Sequence, residues 1–115
     1  MKNVSLISVL ASTLILTSFN STAASNTFLE GASSHTEEET RNGTSQEAYN
    51  AGYFQGLVFG VTNLNTDNIC PEGGSVGVKQ VRSVVSYYVK NHPQRHHLSD
   101  DALIIEAIKS AWPCE

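Results

Sequence analysis

The sequence predicts an all-α fold: a small disulfide-linked bundle of three to four helices preceded by a flexible N-terminal segment. Three observations predict it. Apolar residues recur at helical spacing in blocks after residue 43, each block is bounded by capping residues, glycine or proline, and two cysteines, Cys70 and Cys114, stand where they can tie the blocks together.

The chain opens on "MKNVSLISVLASTLILTSFNSTAAS", one basic residue followed by an apolar run and then small residues. That is the layout of a secretory leader, so residues 1–24 read as a signal peptide. Cleavage after Ala24 leaves Thr22 and Ala24 at the two positions that require small side chains; cleavage after Ala23 is the alternative. A membrane anchor needs about 20 apolar residues, and the run from Val4 to Phe19 is shorter. The mature chain, about 91 residues, is one domain's worth. Losing Lys2 leaves six basic against eleven acidic residues, one charge more negative than the −4 of the whole chain. An acidic chain without a basic face excludes a nucleic-acid partner, and no later segment is apolar enough to span a bilayer.

An exported chain meets an oxidising compartment, so an intramolecular Cys70–Cys114 bridge is expected. It would close a loop of about 44 residues, for which the chain-entropy model gives roughly 4 kcal/mol. The alternatives are half of a metal site or bridges between chains; the absence of a CxxC argues against zinc.

Residues 25–43, "SNTFLEGASSHTEEETRNG", are polar and acidic and read as a flexible lead-in. The ordered domain spans residues 44–115. Thr44 and Glu47 have capping-box spacing, and "SQEAYNAGYFQGLVFGV" follows as a first helix. Gly52, Gly56 and Gly60 line one face of it. Glycine inside a helix costs up to about 1 kcal/mol, so three in register imply close packing of another helix or backbone against the bare stripe. "TNLNTDNICPEGGS" is a loop. The second helix runs from near Val78 to Asn91, with Val78, Val81, Val85 and Tyr88 on one face; its valines also suit a strand, but strict alternation fails at Val84-Val85 and Tyr87-Tyr88. Pro93 ends it. In the third, Ser99 is the expected cap, Asp100 and Asp101 complement the helix dipole, and Leu98 and Leu103 have staple spacing. Ile104, Ile105, Ala107, Ile108, Ala111 and Trp112 are its expected core residues, and Pro113 stops it.

"NHPQRHHLSDDA" places His92, His96 and His97 within six positions. Their spacing is compatible with a metal, yet the stretch straddles a helix end, a proline and a helix start, and a corner between helices accounts for every position. A pH-sensitive corner is the second reading. No serine lies in a GxSxG elbow, "PEGGS" lacks the lysine of a phosphate loop, and Asp100-Asp101 point in different directions. The chain reads as a non-enzyme, with neither cofactor nor metal.

Taken together, "AGYFQGLVFGV", "ICPEGG" and "VRSVVSYYVKNHPQRHHLSDDALIIEAIKSAWPCE" resemble the Rap/Tai-type immunity family of type VI secretion systems. The resemblance rests on a "GY…G" helix, a "C-P" loop, a "VV…Y" helix, "HP…H" and a terminal aromatic-P-C, from Tyr49 to Cys114. The chain departs from the family pattern at "EGGSVGVKQ". The resemblance implies a periplasmic, disulfide-containing helical protein, often a homodimer, that blocks the active-site cleft of a cell-wall amidase of the NlpC/P60 type. Partner contacts are then expected on the loops Asn63 to Ser75 and Gln94 to His97, with Asp67, Glu72, Arg95, His96 and His97 as candidates. The competing class is a small periplasmic acid-stress chaperone, suggested by the histidines and the acidic arm.

Overall fold

The computed structural model describes residues 22–34 and 41–115. The body of the leader and the Glu37-Glu38-Glu39 run lie outside the described residues. Four α-helices make up the described fold: α1 (Asn26–Ser33), α2 (Ser45–Leu64), α3 (Val78–Asn91) and α4 (Asp100–Ala111). Short 3-10 turns at Thr66–Asn68 and Pro93–Arg95 precede the loop into α3 and the corner into α4.

Within the segment 25–43, read from the sequence as a flexible lead-in, residues 26–33 form helix α1. Ser25 caps it, its hydroxyl accepting from the Phe28 N–H at 3.1 Å. Phe28 and Ala32 are fully buried in the common core. Only two large apolar residues, Phe28 and Leu29, mark so short a helix, too few to show a period; burial supplied by the other three helices stabilises it instead. The Phe28 ring lies 5.3 Å from that of Phe54 on α2, tilted by 46°, an arrangement aromatic pairs favour.

The close approach that joins α1 to α2 is made by Gly31. A Cβ on Gly31 would stand 2.2 Å from the Asn50 carbonyl oxygen and 2.7 Å from the Phe54 Cβ, so nothing larger than glycine fits. Beneath this crossing the buried Asn50 is satisfied on both sides. Its amide donates to Glu30 Oε2 at 2.7 Å, and its Oδ1 accepts from Gln46 Nε2 at 2.9 Å. The buried Ser86 hydroxyl of α3 donates to the Ala32 carbonyl at 2.5 Å, meeting one of the acceptors left open at the end of α1.

The other helices form where the sequence predicts, with altered details. Thr44 accepts from the Glu47 N–H at 3.2 Å and starts α2. In α3 the buried face is Val81, Val85, Ser86 and Val89; Val78 is half exposed. Ser99 precedes α4 but makes no cap bond; its hydroxyl donates to Asp101 Oδ1 at 2.6 Å. Leu103, Ile104, Ala107 and Ile108 of α4 are buried, whereas Ala111 is exposed and Ile105 intermediate. Leu98 packs against the same core from the start of the helix.

Cys70 and Cys114 are disulfide-bonded, their Cα atoms 5.0 Å apart. The Cys70 N–H also donates to the Trp112 carbonyl at 2.9 Å, so the end of α4 is tied to the loop ahead of α3. That loop turns at Gly73 and Gly74, both with φ near +85°, where glycine avoids the Cβ penalty. The Gly74 N–H closes the turn on the Pro71 carbonyl at 3.1 Å.

Phe28→Ala should cost about 3–5 kcal/mol of stability, measured by urea denaturation of the mature chain. A loss under 1 kcal/mol would mean that α1 is not part of the cooperative core.

Candidate functional site

The histidine corner is built to end α3. A helix leaves its last four carbonyls without intrahelical donors, and side chains reach two of them here. His92 Nδ1 donates to the Tyr88 carbonyl at 2.8 Å and His96 Nε2 to that of Val89 at 2.8 Å, while Asn91 Nδ2 adds a bond to the Tyr87 carbonyl one residue earlier, at 2.8 Å. His97 Nδ1 donates to the Gln94 carbonyl at 3.1 Å. Because a carbonyl only accepts, each of these ring nitrogens carries its hydrogen. The His92 ring stacks on Tyr88 with centroids 4.0 Å apart. Among the described residues no group of three or more His, Cys, Asp or Glu side chains is placed to hold a metal ion.

Arg95 faces inward along α4. Its guanidinium pairs with the Glu106 carboxylate, Nε donating to Oε2 at 3.1 Å and Nη2 bonding Oε1. The Tyr88 hydroxyl donates to Oε2 as well, at 2.9 Å. This network links α3, the corner and α4. The Arg95 guanidinium is the main cause that holds the Glu106 carboxyl below the usual carboxylate range. Burial, reinforced by Glu106, pushes the Tyr88 hydroxyl up. The Ser99 hydroxyl draws the Asp101 carboxyl down.

The five candidate contacts of the sequence reading separate into two groups. Arg95, His96 and His97 lie at the N-terminal end of α4. Arg95 and His96 are half-buried and engaged in the corner, and His97 is exposed. Asp67 and Glu72 are exposed near its C-terminal end, on either side of the disulfide. Asp67 lines a cleft with Lys109 and Cys114, and Glu72 lines another with Cys70, Trp112 and Glu115. A helix of 12 residues separates the groups by about 18 Å, too far for one small-molecule site but compatible with two contacts on a protein.

The outer face of α2 carries a feature whose side the sequence did not reveal. Gly52, Gly56 and Gly60 are exposed, and a Cβ on any of them would meet nothing within 4 Å. Among the described residues, none packs closely against the stripe, the reason expected for it. The buried face is Asn50, Ala51, Phe54 and Val58. Around the bare stripe Tyr49 is 63%, Phe59 50% and Tyr53 38% exposed. Between Ser45 and Leu64 the only charged side chain is Glu47. Thus α2 is apolar on two sides, a pattern that ordinarily belongs to a helix covered all round. The sequence held that signal in its lack of a charged face.

A native Glu106 carboxyl pKa below the unfolded value, about 4.3, means that the pair stabilises above that value. The contribution is lost as pH falls through the native pKa. Glu106→Gln should therefore cost about 1 kcal/mol at pH 7, the scale of a partly exposed pair. The difference from wild type should shrink in urea titrations as pH falls below about 4.3 and through the native pKa; a difference that does not change with falling pH would refute the assignment.

Comparison with known proteins agrees with this architecture. The model of the family described as Rap1a immunity proteins matches residues 20–114, which include all four helices and both cysteines. No curated protein matches the chain. The disulfide-closed all-α scaffold and a family match over most of the chain converge: this protein belongs to the Rap1a immunity protein family.

Proposed function

We propose that the protein acts in the periplasm as the immunity partner of a type VI secreted peptidoglycan amidase of the NlpC/P60 type, occluding its active-site cleft so that the producing cell's wall survives. The family match carries the immunity reading. The protein acts by binding and not by catalysis, since its polar side chains at the α3–α4 corner are spent on ending helices and joining them. A rigid core stapled at Cys70–Cys114 supports loops that need not reorganise on binding, which lowers the entropic cost of a tight complex.

In this reading the amidase contacts Asp67 and Glu72 beside the disulfide and His97 at the corner, with Arg95 and His96 shaping that corner from beneath. The chain pairs with a second copy through the outer face of α2. Three glycines in register let two helices approach closely, and a twofold axis at Gly56 makes the face self-complementary. Gly52 then meets Gly60 of the partner subunit, and Tyr53 meets Phe59 of the partner subunit.

Expression of the amidase in a test strain's periplasm should lyse it, and co-expression of this protein should prevent lysis. Purified, the two should form a stoichiometric complex in which the amidase no longer cleaves peptidoglycan. The double substitution Asp67→Lys, Glu72→Lys should weaken that complex about tenfold, or roughly 1.4 kcal/mol, as desolvated interface charges do. No complex with any such amidase, together with apolar dye binding below pH 5, would favour the acid-stress reading instead.

Gly56→Leu separates self-association from folding. It should convert the dimer to monomer in sedimentation velocity. It should leave the monomer as stable or up to about 1 kcal/mol more stable, because leucine is the better helix former in open space. A dimer that survives the substitution would place the self-contact elsewhere.

A further inference from the structure

The strand of chain that enters α1 is held along the start of α4. The Ala24 N–H donates to the His96 carbonyl at 3.1 Å. One residue on, the Ser25 N–H donates to Asp100 Oδ1 at 2.7 Å and the Ser25 hydroxyl to Oδ2 at 2.8 Å. The Tyr53 hydroxyl of α2 donates to the same Oδ2 at 2.9 Å. Asp100 is the first residue of α4, and Ser25 is the cap of α1. One carboxylate therefore stands at two helix N-termini, each with partial positive charge. Its three described partners are a backbone N–H and two hydroxyls, all neutral.

We infer that export processing hydrolyses the Ala24–Ser25 bond, and that the α-ammonium so created is held by the Asp100 carboxylate in an ion pair that exists only in the mature chain. A leader-cleaving peptidase adds water across the amide. Ala24 leaves with the leader as a carboxylate, and the Ser25 nitrogen takes up a proton. The nitrogen is already within ammonium–carboxylate bonding distance, so the charge arrives without rearrangement. Processing forfeits the bond from Ala24 to His96 and the partial packing of Ala24 on the core. A full charge replaces a neutral donor on Asp100. Cleavage after Ala23 would instead set the ammonium against the His96 carbonyl, a dipole and not a charge.

The groups facing the pair can be named. Tyr53 approaches from α2, and the hydrogen bond to Asp100 pushes its hydroxyl pKa up. Asp101 turns away to the Ser99 hydroxyl, and the His96 ring is occupied with the Val89 carbonyl. The Asp100 carboxylate should raise the amine above its ordinary pKa of about 7.7–8.0. Its contribution to stability is complete below that range and is lost as pH rises through the native value.

The test begins with the intact mass of the full-length protein exported and purified from a periplasm, expected to start at Ser25. Nitrogen-detected NMR titration of that amine should give a pKa above the ordinary range in wild type and within it in Asp100→Asn. Blocking the amine by acetylation should lower the folding equilibrium constant about twofold to fivefold at pH 7, as loss of a partly exposed ion pair does, and should change little in Asp100→Asn. A mature chain starting elsewhere, or an amine that titrates normally in the folded wild type, would overturn the inference. The result does not depend on the amidase, so its failure leaves the immunity reading untouched.

Discussion

The crossing of α1 over α2 at Gly31 is the constraint on which the rest of the fold depends. A helix of eight residues has no stability of its own, and it persists only because Phe28 and Ala32 bury completely. They bury only because Gly31 lets the two backbones meet at Asn50. The polar groups at the crossing are then satisfied in place, Asn50 by Glu30 and Gln46 and the end of α1 by Ser86. Without α1, Phe54 and Val85 would line an open side of a three-helix sheaf. A domain of this size has little core to spare.

At the opposite side of the core, α4 is secured at both ends by different chemistry. Its start is held by the Asp100 cluster and its neighbour, the histidine corner; its end is held by the Cys70–Cys114 bridge and the Cys70–Trp112 backbone bond. Arg95 and Glu106 link the corner to the middle of the helix. This economy explains what many of the conspicuous polar residues of the corner do in the fold. Their lone pairs and hydrogens are consumed in closing helices. The surface beside the bridge, the edge at His97 and the outer face of α2 are left exposed.

Much of the fold was legible because its signals are local. Thr44 and Glu47, Pro93, Leu98 and Leu103, and Pro113 act within about four residues of themselves, and a helix cap or stop is read from neighbours alone. Even there, Ser99 stands at the cap position and bonds Asp101 without making a cap bond. The helix character of the valine-rich α3 follows from its periodicity against its propensity, and burial of Val81, Val85 and Val89 decides it.

The sequence by itself determined an acidic chain, three strongly signalled helices and two cysteines suited to pairing. Each of these depends on composition or on short-range spacing. Only the tertiary structure decided that residues 26–33 join the core, that the glycine needed for close approach is Gly31 and not the stripe of α2, and that this stripe faces outward. It alone brings Ser25 to Asp100 across 75 residues of chain. The physical reason is common to all of these: whether a short helix is buried, which side of an apolar helix is covered and which donor reaches a carboxylate depend on contacts between distant segments, and those contacts leave no period in the sequence to read.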